Sequence, residues 1–189
     1  MSGTLILIII LVALAAWGVA LYNGLVSRRQ RANQAFADID VQLKQRHDLI
    51  PNLVETVKGY AAHEKGTLEA VIQARNTALQ APQGSPQQAQ AEQQLTGALG
   101  RLIALGEAYP DLKANANFQQ LQTELADIEN KLAAARRFFN SAVSEYNAAI
   151  ESFPAVFLAQ RFGFQHREFF DVGADSRAAM DAAPPSVKF

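Results

Sequence analysis

No cysteine occurs anywhere in this chain, which excludes disulfides and thiolate chemistry and is compatible with a reducing compartment. Charge is missing from its beginning: no Lys, Arg, Asp or Glu precedes Arg28. Neither sign is in surplus overall, with 17 basic against 18 acidic residues, so the charge balance gives no footprint for nucleic acid. Val and Ile are sparse after Leu21 and no alternating run occurs, so the soluble part is predicted to be all helix. Catalytic patterns are missing too. The residues three before His47, His63 and His166 are Lys44, Tyr60 and Gly163, so the Glu-x-x-His pairs of carboxylate-bridged di-metal bundles do not occur. There is no HExxH, no serine in a GxSxG turn and no glycine-rich loop after a strand. The expectation is a protein that is not an enzyme, with no catalytic residue, no cofactor, no metal site and no small-molecule substrate.

What the start does hold is an unbroken apolar run, LILIIILVALAAWGVAL, from Leu5 to Leu21. Taken as a helix with Thr4 and Tyr22, it reaches roughly 28 Å, about one hydrocarbon core. Ala13-Leu14-Ala15 resembles a signal-peptide cleavage site, but the positively charged leader is missing and the run continues beyond it. Residues 4–22 are therefore read as a transmembrane anchor. Arg28, Arg29 and Arg31 all follow the span. The positive-inside rule then leaves the N-terminus outside and the following domain in the cytoplasm. Trp17 and Tyr22 are the membrane-proximal aromatics. Ala16 and Ala20 form a small-xxx-small pair of the kind that packs two spans together, a spacing that also arises by chance in an alanine-rich segment.

From Ser27 to Gln80 the apolar residues Phe36, Leu43, Ile50, Val57 and Val71 recur at multiples of seven. Pro51 lies inside this register, which predicts a kinked but continuous helix. Residues 80–94 form a glutamine-rich connector, in which Ser85-Pro86-Gln87-Gln88 has the chemistry of a helix start. That helix is predicted to run to about Ala108 and to stop at Tyr109-Pro110. A last long helix is predicted to start at an Asn117 cap, with Gln120 completing the box. Its large residues Phe118, Leu125, Leu132, Phe139, Tyr146 and Phe153 fall at intervals of seven, and Leu121, Ile128, Ala135, Ala142 and Ala149 form a second row. The first row is a candidate seam for self-association or for a partner. A short helix is predicted from Pro154 to Phe162, stopped by Gly163.

Several long stretches carry a resemblance. A span followed by YNGLVSRRQ, then IDVQLKQRHDLIPNLVETVKGYAAHE, then EAYPDLKANANFQQLQTELADIE, ARRFFNSAVSEYNAAIESFP and Gly163-Phe164, resembles the LemA family of bacterial membrane proteins. The similarity covers about Tyr22 to Asp171. Phe36 and Phe139 stand where the family pattern suggests Trp and Tyr. The glutamine-rich connector and the tail lie outside it. The resemblance implies a single transmembrane helix followed by an antiparallel bundle of three to four long helices at residues 27–170; the tail at 172–189 is expected to be disordered from its Ala/Asp/Pro-rich composition. It also implies the bacterial cytoplasmic (inner) membrane, and proteins that are closer to scaffolds than to enzymes. Some are linked to membrane-remodelling or organelle-building gene sets and others to membrane proteases, and no common biochemical activity follows.

Three polar clusters have structural and functional readings. Arg46-His47-Asp48 precedes Pro51 and could be a partner site or a pH-sensitive hinge. The favoured expectation is that Asp48 and Asn52 satisfy the backbone groups Pro51 frees, with the charges solvated. Tyr109-Pro110-Asp111-Leu112-Lys113 reads as an interhelical turn, and Arg136-Arg137 as a solvated face, with contact to anionic headgroups as the alternative. The last candidate is aromatic: six phenylalanines lie within the eighteen residues from Phe153 to Phe170. Phe157, Phe162, Phe164, Phe169 and Phe170 either fold back to close one end of the bundle or form an interfacial segment. The function expected is a membrane-anchored scaffold that self-associates as a homo-oligomer on the lipid bilayer. The alternative is an accessory or sensor subunit of a membrane-protein partner such as a protease.

Overall fold

The computed structural model describes residues 3–170, and every regular element among them is a helix: α1 Gly3–Lys58, α2 Lys65–Gln80, α3 Pro86–Ala108, α4 Pro110–Lys113, α5 Ala116–Glu151 and α6 Ala155–Arg161. The protein is all-α, as its lack of strand patterning predicts. The tail expected to be disordered lies outside the described residues. The described chain falls into two compact units, one holding residues 3–38 and 135–169, the other residues 39–134 and 170.

In the first unit, α1 and the later half of α5 pack antiparallel. Arg31 meets Glu145, and Phe36 meets Phe139 edge to face at 5.7 Å, so rising numbers on α1 meet falling numbers on α5. Leu25, Tyr146, Ile150, Ala155, Ala159 and Phe164 form the core. After α6 the chain reverses at Gly163, whose φ of 70° is a left-handed conformation that glycine adopts without a Cβ penalty. Asn147 holds the returning strand of chain: its Nδ2 donates to the Arg167 carbonyl at 2.9 Å, and its Oδ1 accepts from the Arg167 N–H at 3.0 Å. Tyr146 Oη donates to the Gln165 carbonyl at 2.9 Å.

In the second unit, α1, α2, α3 and α5 share a core that includes Ile50, Leu53, Val57, Val71, Leu95 and Leu102. Burying each such side chain contributes roughly 1.5–3 kcal/mol. Three expectations are corrected here. The stretch from Ser27 to Gln80 is two helices, broken at residues 59–64 rather than carried through. The series of sevens already shows the gap, since the position between Val57 and Val71 is the charged Glu64. Tyr60, Ala61 and Glu64 close tight backbone turns onto Val57 and Ala61 at this break.

At Pro51 the expected continuity holds, since it lies within α1, and the second correction concerns the backbone group it frees. The carbonyl it leaves without a partner, that of His47, accepts a hydrogen bond from Arg75 Nε on α2 at 2.9 Å. An arginine from the neighbouring helix does what was expected of Asp48 and Asn52.

Third, the cap of α5 is Asn115, not Asn117: Asn115 Oδ1 accepts from the Phe118 N–H at 2.9 Å. The α3 start follows its sequence pattern, with Ser85 Oγ accepting from the Gln88 N–H at 3.1 Å. Gln88 Oε1 in turn accepts from the Gly84 N–H at 2.7 Å.

Candidate functional site

Within the first unit, α6 lies beside the end of the apolar run. Leu158 and Phe162 line one shallow hollow with Gly18, Val19 and Tyr22. Phe153, Pro154 and Ala155 border another with Trp17, Ala20 and Leu21. The Tyr22 ring meets Phe162 at 5.1 Å and Phe164 at 5.7 Å, both edge to face. Phe153 and Phe157 form a further edge-to-face pair at 6.0 Å.

The phenylalanine-rich segment therefore divides. Phe164 and Phe170 are buried, whereas Phe153, Phe157 and Phe162 are 81%, 65% and 57% exposed, and Phe169 is exposed as well. Trp17 stands in the open beside them. The seven-residue row divides similarly. Phe118, Leu125, Leu132, Phe139 and Tyr146 are buried in the chain's own packing, and Phe153 stands outside it. The cause is the end of α5: Glu151 is its last residue, and the row's final member projects from the corner before α6.

The arginines after the span are mostly engaged by the protein. Arg29 stacks over the Phe164 ring at 4.9 Å. Arg31 pairs with Glu145 at 3.1 Å and lies 5.6 Å from the Phe138 ring centre. Arg28 is exposed and reaches back to the Gly24 carbonyl at 3.5 Å. Burial raises the Tyr146 hydroxyl's pKa, and the nearby charges of Arg29 and Arg167 only partly offset this.

A second constellation lies in the core of the other unit, and here the expectation of solvated charges is overturned. Arg46 has no exposed surface, and His47 is buried beside it. The Arg46 guanidinium donates to Glu92 Oε2 on α3, to Thr96 Oγ1 at 3.0 Å and to Glu129 Oε1 on α5 at 2.7 Å. His47 Nε2 lies 3.0 Å from the other Glu92 oxygen. With Arg75 on the His47 carbonyl, the cluster ties together α1, α2, α3 and α5. Burial pushes the Glu92 carboxyl up, but the adjoining His47 and the charge of Arg46 outweigh it and hold it below its ordinary 4.5.

Glu92, Thr96 and Glu129 were not singled out from the sequence. The available signal was an acid on the stripe of Leu95, Leu99 and Leu102, facing an arginine flanked at helical spacing by Leu43 and Ile50. Among the described residues, no three of His, Asp and Glu converge as metal ligands would. The five hollows described are shallow surface features rather than enclosed cavities.

The sequence pattern of the LemA family matches residues 35–189, most of the chain. The chain belongs to the LemA family. This match begins later than the resemblance read from Tyr22, and it runs through both the glutamine-rich connector and the tail. Similar proteins include "Magnetosome protein MamQ" of Magnetospirillum gryphiswaldense, 28% identical over 174 residues, covering 79% of this chain and 64% of that one. "Magnetosome protein MamQ 2" of Paramagnetospirillum magneticum is 27% identical with the same coverage. "Protein LemA" of Metamycoplasma hominis is 24% identical over 161 residues, covering 85% of this chain and 74% of that one. This LemA-family chain thus spans 64% of the length of the two MamQ relatives. Its α1 is the one helix among the described residues long and apolar enough to cross a membrane, and none of its most apolar window is buried by protein. With the family membership, this makes it a membrane-associated helical protein carrying an N-terminal anchor.

Proposed function

We propose that this LemA-family protein is a non-catalytic, membrane-anchored helical scaffold that self-associates and organises a membrane or a membrane-protein assembly. The observation that carries the reading is the junction between anchor and soluble part. The apolar run passes straight into the rest of α1, where Leu25, Ala32 and Ala35 are already core residues. A domain meant to search for soluble partners needs a flexible tether, and no tether separates these residues. A helix that is both anchor and bundle wall instead sets the first unit firmly against the bilayer. In this reading the membrane is the bacterial inner one, and the arginines after the span favour a cytoplasmic bundle with the N-terminus outside.

Five of the six residues of the α5 row are spent on the chain's own packing. Self-association therefore falls to the anchor, where Ala16 and Ala20 allow close helix approach. The relatives' names are in keeping with a structural part: two are named as magnetosome proteins, and neither name states a reaction.

The deciding measurement is the mass of the full-length protein in nanodiscs, by light scattering with the lipid contribution subtracted. A defined oligomer that Ala16→Ile dissociates supports the scaffold. A monomer that crosslinks to one stoichiometric membrane protein sinks self-assembly and leaves the accessory subunit.

A further inference from the structure

We propose that α6 and the corner before it form a second membrane contact, lying in the interfacial layer of the leaflet from which α1 emerges. Phe153, Phe157 and Phe162 enter the apolar boundary alongside the anchor. This rests on the membrane anchoring above and is independent of self-association.

Three large aromatic side chains within ten residues are more than half exposed, all in a short amphipathic element whose other face, Ala155 and Ala159, is core. Such an apolar group is costly to leave in water. No described residue covers it, and its height along the anchor points to what does. The flanking hollows contain Trp17, Gly18, Val19, Ala20, Leu21 and Tyr22, the last turns of the apolar run, and the one beside Phe153 extends to Gly24, Leu25 and Arg28, from hydrocarbon up to the headgroups. A segment packed against those turns cannot be in bulk water when the run is in the membrane. It sits at the depth where aromatic rings are favoured.

The polar groups agree with that depth. Gln160 and Arg161 close α6 on exposed positions, and a long arginine stem lets its charge rise to the headgroups while the helix stays below them. Arg28, seven residues beyond Leu21, stands about 10 Å further along the helix axis, at headgroup level. The return of the chain at Gly163, held by Asn147 and Tyr146, carries the following residues back along α5 and limits the immersed part to the α6 corner.

The absence of native cysteine allows a clean test with single replacements in the full-length protein: Phe153→Cys and Phe157→Cys, with Val12→Cys as a reference in the span and Ile72→Cys as an exposed apolar reference on α2. Each is coupled to an environment-sensitive fluorophore and reconstituted into nanodiscs of mixed zwitterionic and anionic lipid. Lipid-borne nitroxide is expected to remove emission at residues 153 and 157 as it does at 12. Aqueous iodide is expected to remove it only at 72. Iodide quenching at 153 and 157, with lipid quenching retained at 12, overturns the proposal while leaving the anchor intact. Protection of 153 and 157 from both quenchers also overturns it, because protein then covers the patch. Loss of lipid quenching at 12 removes the anchoring itself, and the proposal with it.

Discussion

The first unit leaves phenylalanine in the open and keeps its ion pairs near the surface. Arg31 and Glu145, for instance, are each about half exposed. The second unit also has exposed ion pairs, such as Lys131 with Asp127, but it encloses Phe118 and buries one pair outright, Arg46 with Glu92. Water alone would favour neither arrangement. Exposed aromatics are costly unless something apolar covers them, and buried charges are costly unless each has partners. The second unit supplies partners for Arg46 internally, through Glu92, Glu129 and Thr96. The first unit has exposed aromatics beside the end of the apolar run, and the proposed membrane contact is what would cover them.

The comparison can be broken at several points, all read as denaturant unfolding of the full-length protein in micelles, followed by helical circular dichroism. The largest effect belongs to Phe139→Ala. Although it shares a seven-residue row with Phe153, Phe139 is buried against Phe36, and its removal is expected to cost about 4 kcal/mol.

Next is Glu92→Ala, which strips Arg46 of its buried partner and is expected to cost about 3 kcal/mol. The same group gives a pH dependence. Its carboxyl is held below 4.5 in the folded protein, so its contribution is complete above that value and is lost as pH falls through the lowered folded value. The unfolding midpoint should therefore drop below pH 4.5 in the native chain and drop less in Glu92→Gln. An equal drop in both would remove Glu92 as the cause.

Gly106→Ala comes third. A Cβ there would lie 2.7 Å from the Phe118 ring, and displacing that ring is expected to cost about 2 kcal/mol. Arg75→Leu leaves the His47 carbonyl opposite Pro51 without its donor, for an expected loss of about 1 kcal/mol. If Arg75→Leu is silent unless Pro51 is present, and costs nothing in a Pro51→Ala background, the link between the two residues is established.

The smallest effect sharpens the contrast. Phe153→Ser, at the exposed end of the same row as Phe139, should change stability by within about 0.5 kcal/mol in micelles. A loss as large as that of Phe139→Ala would show that protein, not lipid, covers the corner.

Much of the fold was legible because it is local. The apolar run, the Ser85 cap with Pro86, the stop at Tyr109-Pro110 and the glycine after α6 are each decided by a few adjacent residues. The candidate site was legible only in part. Arg28, Arg29, Arg31, Trp17 and Tyr22 follow from their distance along the chain from the span. The fate of each phenylalanine from Phe153 to Phe170 does not, because their spacing fits burial and exposure equally.

By itself, then, the sequence determined an all-helical chain with an N-terminal apolar run long enough to cross a membrane, a long final helix with a strict apolar row, and membership in the LemA family. Only the tertiary structure decided that Arg46 is buried and that Arg75 from another helix serves the carbonyl beneath Pro51. It alone separated Phe139 from Phe153 and Phe164 from Phe162. The reason is physical: helix formation is governed by residues within a turn or two of each other. The burial of a charge or an aromatic ring depends on which distant helix arrives beside it.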